Sequence, residues 1–314
     1  MIVKIERDFL NCPEQELKDR FIELCNIAEA GHYLDVDNNI EGDFVESLVK
    51  CAGPTYCGFI AEAMQKFSSE KSLRSYLATV KFSDYTREQR KCLLQKPSQL
   101  LMENSAYEWE IYRSLVDYYA KGKKYKNVIY YLQWSITKGI IEPAHLGGIY
   151  QLPAELSLKE GIYKNLYRHK VCVVFDRDTN KVDDIDKNKK AVFSSLCNGI
   201  DITQVNNDLI YRLDYNEEYV WHMWYKRAIE NYFPKEQYAS KGVDITSFND
   251  LLPYDYQKFD EKKNYPKGYK KSMMGEISKG MSCKYFEEST KSFTIRGEEM
   301  SEIMLLLLKI AKIV

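Results

Sequence analysis

The sequence predicts an α/β protein: a parallel sheet flanked by helices, with a helical N-terminal region and C-terminal helices. Three observations carry this. Val171-Cys172-Val173-Val174-Phe175 is short, continuously apolar and rich in β-branched residues, as a strand covered on both faces must be. Leu100-Leu101-Met102 is a second such run, and Glu103-Asn104 then lead into apolar residues at helical spacing (Ile111, Leu115, Tyr118, Tyr119). Ser105 with Glu108 three residues later has the form of a capping box, so strand gives way to helix around Glu103.

Along the chain, residues 1–96 read as a helical region and a candidate docking surface. Gln15 to Ala30, Phe44 to Phe67 and Glu70 to Val80 have helix-like spacing, with a break at Gly53-Pro54. Gly53 to Gly58 has the spacing of a phosphate loop. Phe59 and Ile60 stand where that loop requires Lys and Ser or Thr, which argues against a P-loop ATPase. Residues 97–245 hold the two strands above and a third ending near His145-Leu146-Gly147-Gly148. Residues 246–314 complete this domain with a polar, Tyr- and Lys-rich stretch, then helices near Tyr269 to Gly280 and from Glu298 to Ile313.

Composition narrows the function. The formal net charge is -1, so no bulk field draws in nucleic acid and any such surface is a local patch. The longest apolar run, Ile303 to Ile310, falls short of the roughly 18–20 residues a span needs and reads as a buried helix. Lys4, Glu6, Arg7 and Asp8 leave no signal-peptide core at the N-terminus. The eight cysteines include no CxxC pair, which suits reduced thiols in a cytoplasmic protein and argues against a zinc ribbon or disulfide framework.

Asp176-Arg177-Asp178 closes the apolar strand, and open α/β sheets place ligands at the carboxyl ends of their strands. A turn after Phe175 must keep both carboxylates converging on one cation. With Glu103 at a neighbouring strand end, three acids would form an oxygen-lined site of the kind Mg²⁺ prefers. Phosphodiester hydrolysis at such a site needs a cation to hold the phosphate and activate water. Asp176 and Asp178 are the expected ligands, and Glu103 a further ligand or the general base. Glu230 is either an extra acid or a surface carboxylate paired with Lys226. Lys226 or Arg227 could stabilise charge on the phosphate. Asp183, Asp184 and Asp186 read as a solvated loop without the Gly and distal Glu of a calcium loop. His145 lies near the Gly pair, while His169 and His222 read as structural. Within Lys258 to Lys271, Lys262, Lys263, Tyr265, Lys267 and Lys270 interleave aromatic and basic residues, a pattern suited to stacking bases and contacting phosphates.

Taken in order, the Glu103 strand, a helix, the strand ending near Gly147-Gly148, the strand ending in Asp176-Arg177-Asp178, and Arg227-Ala228-Ile229-Glu230-Asn231-Tyr232 resemble the TOPRIM domain. The resemblance spans roughly residues 97 to 240 and is to the nucleases of the overcoming-lysogenization-defect class. One departure is Asn104, where the family carries Gly. The resemblance implies a Mg²⁺-dependent nuclease, with Mn²⁺ as a substitute. It further implies an effector of anti-phage defence acting on nucleic acid with a separate ATPase partner; self-association is also expected. A catalytically silent TOPRIM-fold sensor or interaction subunit is the alternative. A phosphatase of the haloacid-dehalogenase type also begins with a strand and DxD, but there Thr follows a small residue, whereas Thr179 follows Asp178 directly.

Overall fold

The computed structural model describes residues 1–197, 207–215, 218–260, 262–267 and 290–314. The chain opens with strand β1 (Ile2–Ile5), helix α1 (Glu14–Glu29), strand β2 (Tyr33–Val36) and the long helix α2 (Glu41–Ser69). The short helix α3 (Lys71–Arg74), strand β3 (Thr79–Lys81) and helix α4 (Arg87–Leu93) follow. These strands form a parallel sheet in the order β2-β1-β3.

A second parallel sheet contains β4 (Ser98–Met102), β5 (Ile141–His145), β6 (Val171–Phe175) and β7 (Val220–Met223), in the order β5-β4-β6-β7. Helices α5 (Ser105–Tyr119) and α6 (Lys126–Thr137) join β4 to β5, and α7 (Leu152–Tyr163) lies between β5 and β6. Helices α8 (Lys190–Leu196) and α9 (Asn207–Ile210) lie between β6 and β7, and α10 (Lys235–Ser240) follows β7. An antiparallel hairpin, β8 (Ser292–Ile295) and β9 (Glu298–Ser301), leads into the last helix, α11 (Glu302–Lys312).

This is the expected α/β architecture, since parallel neighbours require crossovers and helices supply them. Every residue of β6 is buried, as its unbroken apolar run demands. The front region is rich in helix as expected, and α2 breaks at Gly53, whose φ of +78° precedes Pro54. The front region also contains a parallel sheet that sequence reading did not assign. Its strands are three or four residues long, too short to display a period. Glu70 to Val80 accordingly gives one helical turn and then β3 rather than a helix. The final helix begins at Glu302 rather than Glu298, because Glu298–Ser301 pairs with β8 and Ser301 Oγ accepts the N–H of Met304 at 3.3 Å. The helix expected near Tyr269 to Gly280 lies outside the described residues.

Helix α11 packs against α6 and β7, with Ile303 to Leu308 all buried. Ser98 Oγ donates to the Ile313 carbonyl at 2.5 Å, and Ala78 N–H to the Lys312 carbonyl at 3.1 Å, so both sheets are tied to this segment. Their buried side chains form one connected core. No helix among the described residues is long and apolar enough to cross a membrane.

The strand order fixes where a site can form. From β4 the chain crosses outward to β5, whereas from β6 it crosses the other way to β7. The gap between the carboxyl ends of β4 and β6 is therefore a topological switch point, where open α/β sheets place ligands.

Candidate active site

Three sequence-predicted acids come from the two strand ends that flank this switch point. Met102 pairs with Val174, so Glu103 follows β4 at the level where Asp176 follows β6. Asn104 has φ -140° and ψ 73°, so the turn after Glu103 uses a negative φ and does not depend on a glycine. Asn104 is also the N-cap of α5 and makes no side-chain capping bond, so Ser105 is the first helical residue rather than a cap. Glu108, expected to complete a capping box, is instead a buried acid whose charge acts on Asp176. Glycine is required at the end of β5, where Gly147 and Gly148 have φ of +66° and +123°.

The turn after Phe175 is held by the residue between the two aspartates. Arg177 is fully buried. Its Nε donates to the carbonyls of Tyr225 at 2.9 Å and Trp224 at 3.2 Å. One terminal nitrogen reaches the Val182 carbonyl at 2.9 Å and the other the Tyr211 hydroxyl at 2.7 Å. The guanidinium thus knots the turn to the loop that follows it and to the segment after β7. With Arg177 turned inward, Asp178 adopts a φ of +60° and its N–H donates to the Arg227 carbonyl at 3.0 Å. Asp178 faces outward, exposed, while Asp176 is half-buried and accepts the N–H of Ile229 on Oδ1 at 3.1 Å.

The acids crowd one another. Burial pushes the Asp176 carboxyl well above its ordinary range, and the charges of Glu230, Glu103, Glu108 and Asp178 push it further. Burial raises Glu103 as well, with the Lys189 ammonium offsetting part of that rise and Asp178 adding to it. Glu103 Oε1 is buried without a hydrogen-bond partner. The cation acting on this cluster is Lys189, at the amino end of α8. Its ammonium is fully buried and donates to Asp178 Oδ2 at 2.8 Å and to the Asp176 carbonyl. Asp186 caps the turn that places it by accepting the Asn188 N–H at 2.9 Å. Tyr150 adds an exposed hydroxyl, bonded to Asp186 at 3.0 Å.

Other expected residues fall differently. Glu230 joins the cluster electrostatically. The segment carrying it is a turn and a 3₁₀ helix (Ile229–Tyr232), not an α-helix, so the spacing that would pair Glu230 with Lys226 does not arise. Lys226 is buried beneath that turn, with its ammonium on Asp255 at 2.9 Å and the Asn231 carbonyl at 3.1 Å. These two contacts occupy its ammonium in the fold. Arg227 lies at the rim and donates to Asn180 Oδ1 at 2.6 Å. In the basic patch, Lys262, Lys263 and Lys267 are exposed, but Tyr265 is buried against Phe259 and offers no stacking face. Lys270 lies outside the described residues. His222 is buried and structural, as expected.

Sequence reading missed Arg177, Lys189 and Glu108. Lys189 belongs to the run Lys187-Asn188-Lys189-Lys190, in which nothing marks the one lysine that folds inward.

All the donors here are oxygens, the set that hard divalent cations select. Among the described residues, no three His, Cys, Asp or Glu side chains are gathered closely enough to hold a metal ion as they stand. The chemistry nevertheless fits: a buried carboxylate oxygen lacks a partner, its neighbours are mutually repelling acids, and Lys189 is the cation bonded among them. No protein-family model matches the chain, and neither a curated protein nor a solved structure is significantly similar to it.

Proposed function

We propose that the chain is a metal-dependent nuclease, hydrolysing phosphodiester bonds at a TOPRIM-like site with Mg²⁺, or Mn²⁺ in its place. The observation that carries this reading is the unpartnered, buried Glu103 Oε1 beside Asp176 at the sheet's switch point. Glu103, Asp176 and Asp178 would hold the ion, which when bound supplies positive charge to the phosphate and its attacking water. The residues around them supply orientation. The Ile229 N–H fixes the Asp176 carboxylate, and Arg177 holds the turn that separates Asp176 from Asp178. Burial raises the Glu103 carboxyl above the ordinary range, which suits it to take a proton from water when it does not hold the ion. Lys189, bonded to Asp178, and Arg227, at the rim, are the cations that would stabilise charge on the phosphate.

The reading extends, on the resemblance alone, to an effector of anti-phage defence in the cytoplasm with a separate ATPase docked on the front region. Recovery of no ATPase in a pull-down from the native host would count against that extension. The direct test is cleavage of plasmid DNA and bulk tRNA with Mg²⁺ or Mn²⁺, comparing wild type with Glu103→Ala and Asp176→Ala. Cleavage by wild type alone is expected; equal cleavage by all three would refute the site.

A second reading, a catalytically silent sensor or interaction subunit, is favoured by one observation: Lys189 already neutralises Asp178. It requires that the acids bind no divalent ion.

A further inference from the structure

A cavity of about 650 Å³ opens between α1, α2 and α6, and none of its lining residues belongs to the acidic site. Phe59, Tyr130 and Trp134 wall it and stay 43%, 45% and 41% exposed, a large aromatic surface to leave facing water. Deeper in, Tyr131 stacks on Trp134 with ring centres 5.9 Å apart and meets Tyr33 at 5.5 Å. The backbone at Gly31, with φ +89°, lets Trp134 and Ile140 approach so closely that a Cβ there would lie 2.6 Å from Ile140 Cδ1. The aromatic wall is therefore built and held, and it has the volume usual for small-ligand sites.

The charge in this cavity is weighted to acid. Glu29, Glu62 and Glu70 line it against Lys66, which is already paired with Glu62 at 2.7 Å, and Lys126, whose ammonium stands at the rim by Tyr130, so the acids outnumber the cations. Glu70 accepts the Tyr33 hydroxyl at 2.8 Å and so keeps its carboxylate at the wall. His32, also lining the cavity, is held neutral by burial. We propose that this cavity binds an organic cation, a guanidinium or alkylammonium group carried on an apolar stem. Carboxylates neutralise such a group while ring faces attract it, and a phosphate-bearing ligand would be repelled. One of these rings already attracts an ammonium: Lys126 Nζ lies 5.3 Å from the centre of Tyr130.

Intrinsic fluorescence reads the site through Trp134, which is exposed in the cavity wall; Trp221 and Trp224 are fully buried and Trp109 is half-buried away from the cavity, so the Trp134→Phe control assigns the signal. The full chain would be titrated with agmatine, with the peptide acetyl-Gly-Arg-Gly-amide, and with AMP as a planar anion. Saturable quenching by agmatine or the peptide is expected, and the tighter of the two identifies a free or a protein-borne cation. The signal should vanish in Trp134→Phe. Binding, measured by calorimetry, should weaken about tenfold in the Glu29→Gln, Glu62→Gln double variant at unchanged melting temperature. No saturable response to either cation, equal or tighter binding of AMP, or unaltered affinity in the double variant would overturn the assignment.

Discussion

Two groups of charged side chains flank the second sheet, and they are built on opposite rules. Against β7, the fully buried Glu302 accepts the Tyr225 N–H at 2.7 Å and the Tyr232 hydroxyl at 2.5 Å, and lies 3.1 Å from His222 Nε2. Lys309 donates to the Ile210 and Trp221 carbonyls at 2.8 and 2.9 Å and to His222 Nδ1 at 3.3 Å. His222 then carries its proton on Nε2 and bridges one acid to one base. At the carboxyl edge of the same sheet, Glu103, Glu108, Asp176, Asp178 and Glu230 act on one another with Lys189 as the cation among them. The first group is satisfied and balanced, so it locks α11 to β7. The second gathers acids that raise one another and leaves the buried Glu103 Oε1 without a hydrogen-bond partner.

Breaking the balanced group should have the largest effect on stability. Glu302→Ala strands three donors and the Lys309 charge in the core, and a loss of about 3–5 kcal/mol is expected in denaturant unfolding. Adding Mn²⁺ should not restore it. Breaking the acidic group should act on activity instead. Asp176→Ala is expected to lower metal-dependent cleavage at least about a hundredfold. It should change metal-free unfolding little, because relief of repulsion among raised carboxyls offsets the lost bond from the Ile229 N–H.

Lys189→Met sharpens the contrast. It removes the ammonium that bonds Asp178 and the Asp176 carbonyl, so metal-free stability should fall by about 1–3 kcal/mol. The gain in melting temperature on adding Mn²⁺ should grow, since a divalent ion would then be the only nearby counter-charge. An unchanged gain would mean that Lys189 does not share the acids' cation position.

The smallest effect expected is on pH dependence. Burial lowers Lys170 and Lys309 to about 7, so the folded protein binds fewer protons than the unfolded chain between there and the ordinary lysine value of 10.5. Stability from these groups therefore rises with pH above about 7. His222, lowered to about 4, should lose its contribution as pH falls from 6.5. Glu103 and Asp176 run the other way: their raised carboxyls hold protons in the fold, so metal-free stability drops as pH climbs above the ordinary carboxylate range. Melting curves of wild type and Glu103→Gln across pH 4 to 7 separate the contributions, and Mn²⁺ should abolish the drop.

The positions of Glu103, Asp176 and Asp178 at strand ends were legible because each follows an apolar run, and strand ends in parallel sheets are where polar side chains can converge. Arg177 and Lys189 carry no such signal: each is a single charged residue in a polar stretch, and only tertiary contacts turn it inward. Lys226 and Tyr265 were read as exposed for the same reason, since both have polar neighbours in sequence yet lie buried in the fold. Among helices, α1 and α2 were legible from their period, whereas the four-residue strands β1 and β2 were too short to show one.

The most direct test of the central claim is Mn²⁺ titration calorimetry on wild type, Glu103→Gln and Asp176→Asn. Saturable binding by wild type that is lost in both variants is the expected result. Absence of binding by wild type, or equal binding by all three, would mean that the acidic cluster is not a metal site and that the nuclease reading is wrong.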